Sequence, residues 1–447
     1  MKTTQPNTPL DSWILQRIGV SEDPLTLEDL RNYQLGKLRE TIRYACAKSP
    51  FYSRRLSGFP VDGLADLCQV SQLPFTTAED IRADPRQFLA LPPHEIARIV
   101  TLQTSGTTGR PKRFFFTKEE LEHTIDFFAR GMSALVKPGQ KVLILLPGDK
   151  PDSVGDLLAR GLMRMNVEGI VHGPVRDIRS AAEEIVERRI DCLVGIPTQV
   201  LSLARNDAGR SVPPGMIKSV LLCTDCISEA IADALSRSWN CRVFKHYGTT
   251  EMGLGGAVEC AARTGYHLRE ADLLFEIVDP DTGAPLKDGE PGEIVVSTLT
   301  RKGMPLIRYR TGDISRILEE RCSCGSVTKR LDAIRERLDG RVTLANGTIL
   351  TLSEMDEALF RVEEILDYSA AVTAKDGSDC LEITLYVEEE ESSAMQKTLH
   401  ALNTVPAVAT ALSDGSLHLA PISISNKNWF TTGVVKRRII DNRTGAK

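Results

Sequence analysis

The stretch 101-TLQTSGTTGRPKRFFFT-117 combines hydroxyl side chains, glycines and cations in a pattern that predicts an anion-binding loop. Its two glycines allow sharp turns that bring backbone N–H groups against an anion, and Lys112 adds a mobile positive charge. The Walker sequence G-x-x-x-x-G-K-[ST] does not occur in the chain, which disfavours a P-loop nucleotide hydrolase. From the hydroxyls, glycines and Lys112 we predict polyphosphate binding by Thr104, Ser105, Gly106, Thr107, Thr108 and Gly109. An ordinary polar turn is the alternative interpretation.

The chain beyond about residue 140 alternates short apolar runs with helical patterns. Repetition of strand, helix and strand predicts a parallel sheet with crossover helices, and such sheets bind ligands at the carboxyl ends of their strands. Upstream, apolar residues three and four apart predict an amphipathic helix over 30–46, which 51–60 then breaks with Gly and Pro. The predicted strands are 141–146, 191–196, 219–223 and 242–247, and the helical stretches between them are 180–189 and 228–238.

The pattern changes after Gly253, and this change suggests the domain organisation. Two strand-like runs, 273–279 and 293–298, flank a turn-rich segment and predict an antiparallel hairpin. Residues 336–341 resemble a linker, and a helix and a strand predicted beyond them form a small α+β unit. We predict an α/β protein with a large N-terminal domain, residues 1–338, that combines parallel sheets, crossover helices and an antiparallel region. A small C-terminal α+β domain, residues 339–447, follows it.

Composition excludes several classes of partner. The 447 residues include 55 Lys and Arg against 60 Asp and Glu, a net charge of −5, so no basic excess points to nucleic acid. The N-terminal residues lack an apolar core of signal-peptide type, and no apolar run approaches the roughly 18 residues that span a bilayer. A cytoplasmic protein without a membrane partner is expected, and a homodimer is left open. Its ten cysteines are then better read as thiols or metal ligands than as disulfides.

The string TSGTTGRPK resembles the phosphate loop of the acyl-adenylate-forming enzymes, which include acyl-CoA ligases, luciferases and the adenylation domains of peptide synthetases. Two further strings follow in the order of that family, 247-YGTTE-251 and 309-YRTGD-313. The resemblance covers nearly the whole chain. Within the family it points to the phenylacetate–CoA ligase branch, through the stretches 35–56, 297–313 and 438–443.

The resemblance implies ATP, Mg²⁺ and CoA as cofactors, and it assigns roles to the shared strings. The family's aromatic residue stacks on adenine, which implies Tyr247, and its glutamate holds Mg²⁺, which implies Glu251. Asp313 takes the position that accepts hydrogen bonds from the ribose hydroxyls. Taken singly, Glu251 could be a carboxylate at a helix start, and Asp313 a turn residue. The nucleotide-binding string also contains Gly248, Thr249 and Thr250.

Three places depart from the family pattern. A Gly-Ala-Glu-Pro-like stretch that contacts adenine in the family is matched here by 222-LCTDCIS-228, so Thr224 and Asp225 take that place. The hinge resembles 336-ERLDG-340, with Arg337 as a ribose or phosphate contact and Asp339 as the pivot, although a charged solvated linker is the alternative.

The lysine that the small domain brings to the acid and the α-phosphate is the third departure. In the family it usually follows a glycine directly, whereas here Val434 follows Gly433 and the candidate, Lys436, comes three residues after the glycine. The alternative is that Lys436, Arg437 and Arg438 form a solvated basic run.

Four cysteine and histidine residues flank the predicted hairpin. Cys260 and His267 precede it, and Cys322 and Cys324 follow it. A hairpin returns the chain near its start, which would bring both pairs into one closed Cys₃His site of the structural zinc type. The resemblance supports a metal here, and four unrelated side chains are the alternative. A second pair, Cys223 and Cys226, is better read as buried inert thiols than as a redox motif.

These observations predict an ATP-dependent, AMP-forming acid–CoA ligase. Lys112, Glu251 and Lys436 would carry the catalysis by stabilising the charge of the phosphates and the leaving pyrophosphate. The branch favours an aryl or arylalkyl acid. One alternative passes the acyl group to a carrier protein or an amine, and the other is a non-catalytic nucleotide-binding zinc protein.

Overall fold

The computed structural model describes residues 8–20, 24–102, 110–375, 377–388, 392–425 and 437–443. Contacts divide the chain into two compact units. Unit 1 comprises Met1–Gly139, Gly148–Gly169 and Lys245–Ile334, and unit 2 comprises Gln140–Pro147, Ile170–Phe244 and Arg335–Lys447. The predicted boundary between residues 338 and 339 stays a prediction.

The helices divide between the two units in chain order. Unit 1 contains α1 (Asp11–Ile18), α2 (Leu27–Lys48), α3 (Pro50–Arg55), α4 (Ala78–Ala83), α5 (Lys118–Met132) and α6 (Val154–Arg164). Unit 2 contains α7 (Ile178–Arg188), α8 (Pro197–Arg205), α9 (Asp207–Arg210), α10 (Glu229–Trp239), α11 (Leu352–Leu359), α12 (Ser392–Leu402) and α13 (Pro406–Ser413).

The strands follow a similar division, with β4 and β7 at points where the chain passes from one unit to the other. Unit 1 contains β1 (Arg98–Leu102), β2 (Lys112–Phe116), β8 (Ala257–Glu259), β9 (Tyr266–Leu268), β10 (Leu273–Val278), β11 (Gly292–Thr298), β12 (Tyr309–Ser315) and β13 (Arg330–Leu331). Unit 2 contains β3 (Lys141–Leu145), β5 (Cys192–Gly195), β6 (Ser219–Leu222), β14 (Glu336–Arg337), β15 (Val342–Thr343), β16 (Ile349–Leu350), β17 (Asp367–Lys375), β18 (Ser378–Tyr386), β19 (Leu417–Leu419), β20 (Ser423–Ser425) and β21 (Ile440–Asp441). The remaining two are β4 (Glu168–Val171) and β7 (Arg242–Tyr247).

The parallel sheet predicted from the alternating pattern lies in unit 2. β5 pairs in parallel with β3 on one side and with β6 on the other, with Leu193 opposite both Leu143 and Val220. These apolar residues are fully buried, as expected for strands covered on both faces. The predicted α/β fold class is confirmed, although the sequence pattern missed β4.

Antiparallel pairs occur in both units, and those of unit 1 include the predicted hairpin. β10 and β11 pair along their length, from Leu273 with Thr298 to Val278 with Glu293, which confirms the predicted hairpin. β12 adds to β11, and β8 pairs with β9, which in turn pairs with β13. β1 and β2 form a separate antiparallel pair.

The predicted amphipathic helix is α2, but the first half of the predicted break, residues 51–55, belongs to a second helix, α3. Ser49 ends α2 and caps α3, accepting a hydrogen bond from Tyr52 N. Pro50 suits the first turn of α3 because its missing N–H has no partner there in any helix. Residues 50–55 are therefore helical, and the chain turns only near Gly58, whose φ is 80°.

The C-terminal strands of unit 2 share one apolar core with the parallel sheet and its helices. The buried side chain of Arg205, at the end of α8, donates to the backbone oxygens of Phe360 and Val362 at 2.6 and 2.9 Å. Burial lowers the pKa of Arg205 to about 10. Residues 360–366 are thus held against α8 by polar as well as apolar contacts. Among the described helices of both units, none has the length and apolar character to cross a membrane.

Candidate active site

Lys112 and Glu251 form an ion pair at the start of β2. Lys112 Nζ donates to Glu251 Oε1 at 2.6 Å, and the hydroxyl of Tyr309 donates to the same oxygen at 3.0 Å. Glu251 is only 5% exposed, so loss of its partners would leave a buried carboxylate uncompensated. The structure therefore brings together two predicted residues that are 139 positions apart, and it adds Tyr309.

The residues predicted to bind phosphate, Thr104 to Gly109, lie outside the described residues. The strands on either side of them are described. β1 and β2 run antiparallel with Leu102 opposite Lys112, so the segment between them starts and ends at paired positions. It ends at the residue that pairs with Glu251.

A second contact joins the two predicted nucleotide strings. Tyr247, at the end of β7, donates its hydroxyl hydrogen to Asp313 Oδ2 at 2.8 Å, and both residues are buried. Tyr309 and Glu251 are in contact as well. The contacts of Tyr247 with Asp313 and of Glu251 with Tyr309 therefore hold the 247–251 string against β12.

A β-bulge in β12 determines where Asp313 lies. The pairing of β11 with β12 shifts between Glu293 and Val295, so that residues 311–313 face a single residue of β11. Gly312 has a φ of 77°, which favours glycine, and its N–H donates to Glu293 Oε1 at 3.0 Å. The glycine of the string is thus a requirement of the local backbone, and the bulge sets the position of the Asp313 that follows it.

One feature of the 247–251 string fits a bound nucleotide, and another shows how tightly the string is packed. The hydroxyl oxygen of Thr249 is buried and has no hydrogen-bond partner among the described residues, an arrangement that is costly unless a ligand supplies one. A Cβ on Gly248 would lie 2.8 Å from both the His246 ring and the Leu254 carbonyl oxygen, so only glycine fits there. Thr250 begins the short 3₁₀ turn that carries Glu251.

Arg301 supports this site, and sequence reasoning did not single it out. Its guanidinium donates to the backbone oxygens of Glu251 at 3.0 Å and Phe115 at 2.9 Å. It also stacks on the Phe116 ring, 4.5 Å from the centroid. Arg301 therefore ties the turn carrying Glu251 to β2, which carries Lys112. The signal was its place within the family-like stretch 297–313.

His246 precedes Tyr247 on β7 and has a neutral, enclosed ring. Burial lowers the pKa of His246 to about 4. Its Nε2 is buried without a hydrogen-bond partner among the described residues. The ring lies close to the backbone of its neighbours, since a Cβ added to Gly248 would lie 2.8 Å from it and one added to Gly255 would lie 3.5 Å from it.

The predicted adenine-loop residues belong to unit 2. Thr224 has a φ of 83°, a strained backbone for a β-branched residue, and Asp225 Oδ1 accepts from Cys226 N at 2.9 Å. Burial raises the pKa of Cys223 to about 11 and that of Cys226 to about 12. These values favour inert thiols over a redox pair.

The predicted hinge residues contact each other. Arg337 Nε lies 3.1 Å from Asp339 Oδ1, and Asp339 is largely exposed. Lys436 lies outside the described residues, but its neighbour Arg437 is described and is not solvated. Arg437 Nη1 donates to Asp356 Oδ1 at 2.8 Å, and its Nε lies 3.3 Å from Asp367. The alternative of a solvated basic run is therefore wrong for Arg437.

The four predicted metal ligands come together in unit 1. The ligand atoms of Cys260, His267, Cys322 and Cys324 all lie within 4.8 Å of one another. Cys260 Sγ is 3.6 Å from Cys322 Sγ, and Cys324 Sγ is 3.5 Å from His267 Nε2. A tetrahedral zinc ion with ordinary bond lengths requires separations of about 3.8 and about 3.6 Å. The donor set and its spacing therefore fit zinc.

The chemistry of His267 also suits a metal ligand. The ring is fully buried, and burial, together with nearby Arg330, lowers the pKa of His267 to about 4. A neutral imidazole is the form that binds metals. The alternative interpretation, that these four side chains are unrelated in space, is wrong, because the fold gathers them in one cluster.

Comparison with known proteins places this chain in a family. The sequence profile of the AMP-binding enzymes matches residues 64–300, more than half of the chain. A phenylacetate–coenzyme A ligase of Thermus thermophilus is 30% identical over 382 residues, which are 82% of this chain and 83% of that protein. The enzyme of the same description from Escherichia coli is 26% identical, over 83% of this chain and 86% of its own.

Solved structures show the same fold. The structure of a 2-hydroxyisobutyryl-CoA ligase in complex with 2-HIB-AMP superposes with a TM-score of 0.80 at 20% sequence identity. The superposition covers 94% of this chain and 91% of that one.

The chain therefore belongs to the AMP-binding enzymes, the acyl-adenylate-forming class that its sequence strings predict. Within that family it falls in the phenylacetate–CoA ligase-like branch. The predicted class is confirmed: it is an ATP-dependent, AMP-forming acid–CoA ligase, whose substrates are a carboxylic acid, ATP and CoA.

Proposed function

We propose that the protein activates an aryl or arylalkyl carboxylic acid, of the phenylacetate type, and transfers it to CoA. The description of the Thermus and Escherichia relatives as phenylacetate–coenzyme A ligases supports this acid class. The observation that carries the catalytic part is the contact between Lys112 and Glu251, because it places a cation and a buried carboxylate together at the end of the predicted phosphate loop.

The first half-reaction joins the acid to AMP. A carboxylate oxygen attacks the α-phosphorus of ATP, the bond to the bridging oxygen breaks, and pyrophosphate leaves with that electron pair. Both reactants are anionic, so Lys112 would lower the barrier by offsetting the charge of the phosphates. Glu251 would hold Mg²⁺, which supplies further charge neutralisation when bound. Lys436 is proposed to contact the acid and the α-phosphate.

The second half-reaction transfers the acyl group. The CoA thiol loses its proton to water, its sulfur attacks the carbonyl carbon of the adenylate to form a C–S bond, and AMP leaves with the electrons of the C–O bond. Thr224, Asp225, Tyr247, Asp313 and Arg337 remain proposed nucleotide contacts. Tyr309 and Arg301 would act by holding Glu251 in place.

A panel assay tests this function. Purified protein is incubated with ATP, Mg²⁺ and aryl, arylalkyl and short-chain acids, and pyrophosphate, AMP and thioester are measured with and without CoA. Thioester formation with arylalkyl acids supports the proposal. Thioester formation only with short-chain acids contradicts the proposed acid class, and pyrophosphate release without a CoA thioester points to a carrier-protein or amine acceptor.

We further propose that the Cys₃His cluster holds a structural zinc ion. Four protein donors fill a tetrahedral shell and leave no position for a substrate or water. Elemental analysis should give about one zinc per chain, and a chelator that removes it should lower the melting temperature. An equal melting temperature before and after chelation, together with the absence of zinc by elemental analysis, would contradict this assignment.

A further inference from the structure

A line of hydrogen bonds connects the metal cluster to the first helix of unit 1. His267 Nδ1 lies 2.8 Å from Thr328 Oγ1, and Thr328 Oγ1 lies 2.8 Å from Ser326 Oγ. Ser326 in turn donates to Asp11 Oδ1 at 2.6 Å, across 315 positions of sequence. His267, Ser326 and Thr328 are all buried and Asp11 is half-buried, so water competes little along the line from His267 to Ser326.

The chemistry of the four groups gives the line one direction. A carboxylate only accepts hydrogen bonds, so Ser326 must donate to Asp11. The Ser326 oxygen then accepts from Thr328, whose own oxygen accepts from His267 Nδ1–H. This direction puts the ring hydrogen on Nδ1 and leaves the lone pair of Nε2 towards Cys324 Sγ, 3.5 Å away. That tautomer is the one a metal bound at Nε2 requires.

The line of hydrogen bonds ends at Asp11 of α1, a helix that also makes apolar contacts within unit 1. Asp11 is the first residue of α1, and Trp13 in the same turn packs edge-on against Phe127, 6.0 Å between ring centroids. The same apolar cluster includes Val258, which pairs with His267 between β8 and β9. The position of α1 and the orientation of the His267 ring therefore depend on shared neighbours.

We propose that Thr328, Ser326 and Asp11 form a positioning relay that fixes the metal-binding tautomer of His267 and couples zinc binding to the docking of α1. The inference rests on the proposed zinc ion. Mutation of such outer-shell partners typically weakens metal binding 10–100-fold. By reciprocity, zinc should stabilise α1 by the same coupling with which α1 stabilises zinc.

The chain provides a matched control for Asp11. At the start of α2, Thr26 donates to Asp29 and Asp29 N donates to Thr26 Oγ1 at 3.1 Å. Thr8 and Asp11 make the same two contacts, at 2.9 and 3.1 Å. Asp29→Asn therefore removes an equivalent first-turn charge without touching the relay.

Zinc affinity is measured by competition with a chromophoric chelator, for the full chain and for Thr328→Val, Asp11→Asn and Asp29→Asn. We expect Thr328→Val to weaken zinc binding 10–100-fold and Asp11→Asn severalfold, with Asp29→Asn unchanged. Hydrogen exchange in α1 should slow when zinc is added to the wild type, and this response should be lost in Asp11→Asn.

Each result decides a different point. A wild-type chain that binds no zinc overturns the metal site, and the relay with it. A wild type that binds zinc while both relay variants match it overturns the relay alone. Equal weakening by Asp29→Asn would attribute the effect to the helix start and would also overturn the relay.

Discussion

Lys112 Nζ lies 2.6 Å from Glu251 Oε1 in a pair that is largely shielded from solvent. The two side chains come from β2 and from the turn after β7, and Tyr309 contacts both. A cation and an anion held this closely each lower the cost of burying the other. The pair is therefore both a support for the site and the centre of its proposed chemistry.

Glu251→Gln should reduce pyrophosphate release about 100-fold or more while the fold is retained, because the variant keeps the shape but loses the charge that would hold Mg²⁺. ATP–pyrophosphate exchange over a range of Mg²⁺ concentrations measures the effect. Glu276→Gln is the control, since it removes a carboxylate that pairs with buried Arg308 at 2.9 Å in the same unit. Equal activity losses in both variants would attribute the effect to stability.

The family strings predicted candidate residues of the site, and the structure shows contacts among them that the strings did not indicate. Glu251, Tyr247 and Asp313 became candidates because each lies in a short string whose order the family shares, and their roles stay predictions. Arg301 and the role of Tyr309 were missed because their contacts join segments far apart in sequence, and local spacing does not report such contacts. The burial of Arg437 was missed for the same reason.

Helices and strands were predictable from the sequence where the local spacing of apolar residues determines them. The β10–β11 hairpin and α2 follow from periodicity within a few residues. The short helix α3 was missed because residues 51–60 were read as a break on account of Gly58 and Pro60, although Pro50 suits the first turn of a helix. The strain at Thr224 has no signal in the sequence of this chain alone, because threonine gives no indication of a positive φ.

Thr224→Gly should stabilise the protein by about 1 kcal/mol, because glycine adopts the φ of 83° without steric cost and this relief exceeds the added freedom of the unfolded chain. Thermal or urea unfolding measures the change. Thr311→Gly, whose threonine has no positive φ, serves as the control and should destabilise. A destabilising effect of Thr224→Gly would show that the side chain contributes more than its backbone strain costs.

The neutral ring of His246 predicts a loss of stability in acid. Its pKa in the folded protein, about 4, lies below the unfolded value of 6.5, so the unfolded chain binds more protons between these values. The free energy of unfolding should therefore fall as pH decreases from 6.5 to 4, by up to about 3 kcal/mol from this residue. Urea unfolding at several pH values should show a shallower dependence in His246→Gln. An unchanged slope would contradict the assignment.

The contact of Arg437 with buried Asp356 indicates that Arg437 anchors the fold and does not belong to a solvated basic run. Arg437 Nη1 lies 2.8 and 3.0 Å from the two carboxylate oxygens of Asp356, which is fully buried, and the guanidinium stacks 4.6 Å from the centre of the Tyr368 ring. Arg437→Met should cost about 3–5 kcal/mol, because it leaves buried carboxylates without their cation.

Arg438→Met is the matched comparison for this prediction, since its arginine is the next residue and is exposed. It should cost much less in the same urea-unfolding experiment. The double variant Arg437→Met with Asp356→Asn should recover part of the loss, because the carboxylate that Arg437 neutralises is then removed as well. Equal costs for the two arginine variants, or no recovery in the double variant, would show that the Asp356 contact does not anchor the C-terminal strand.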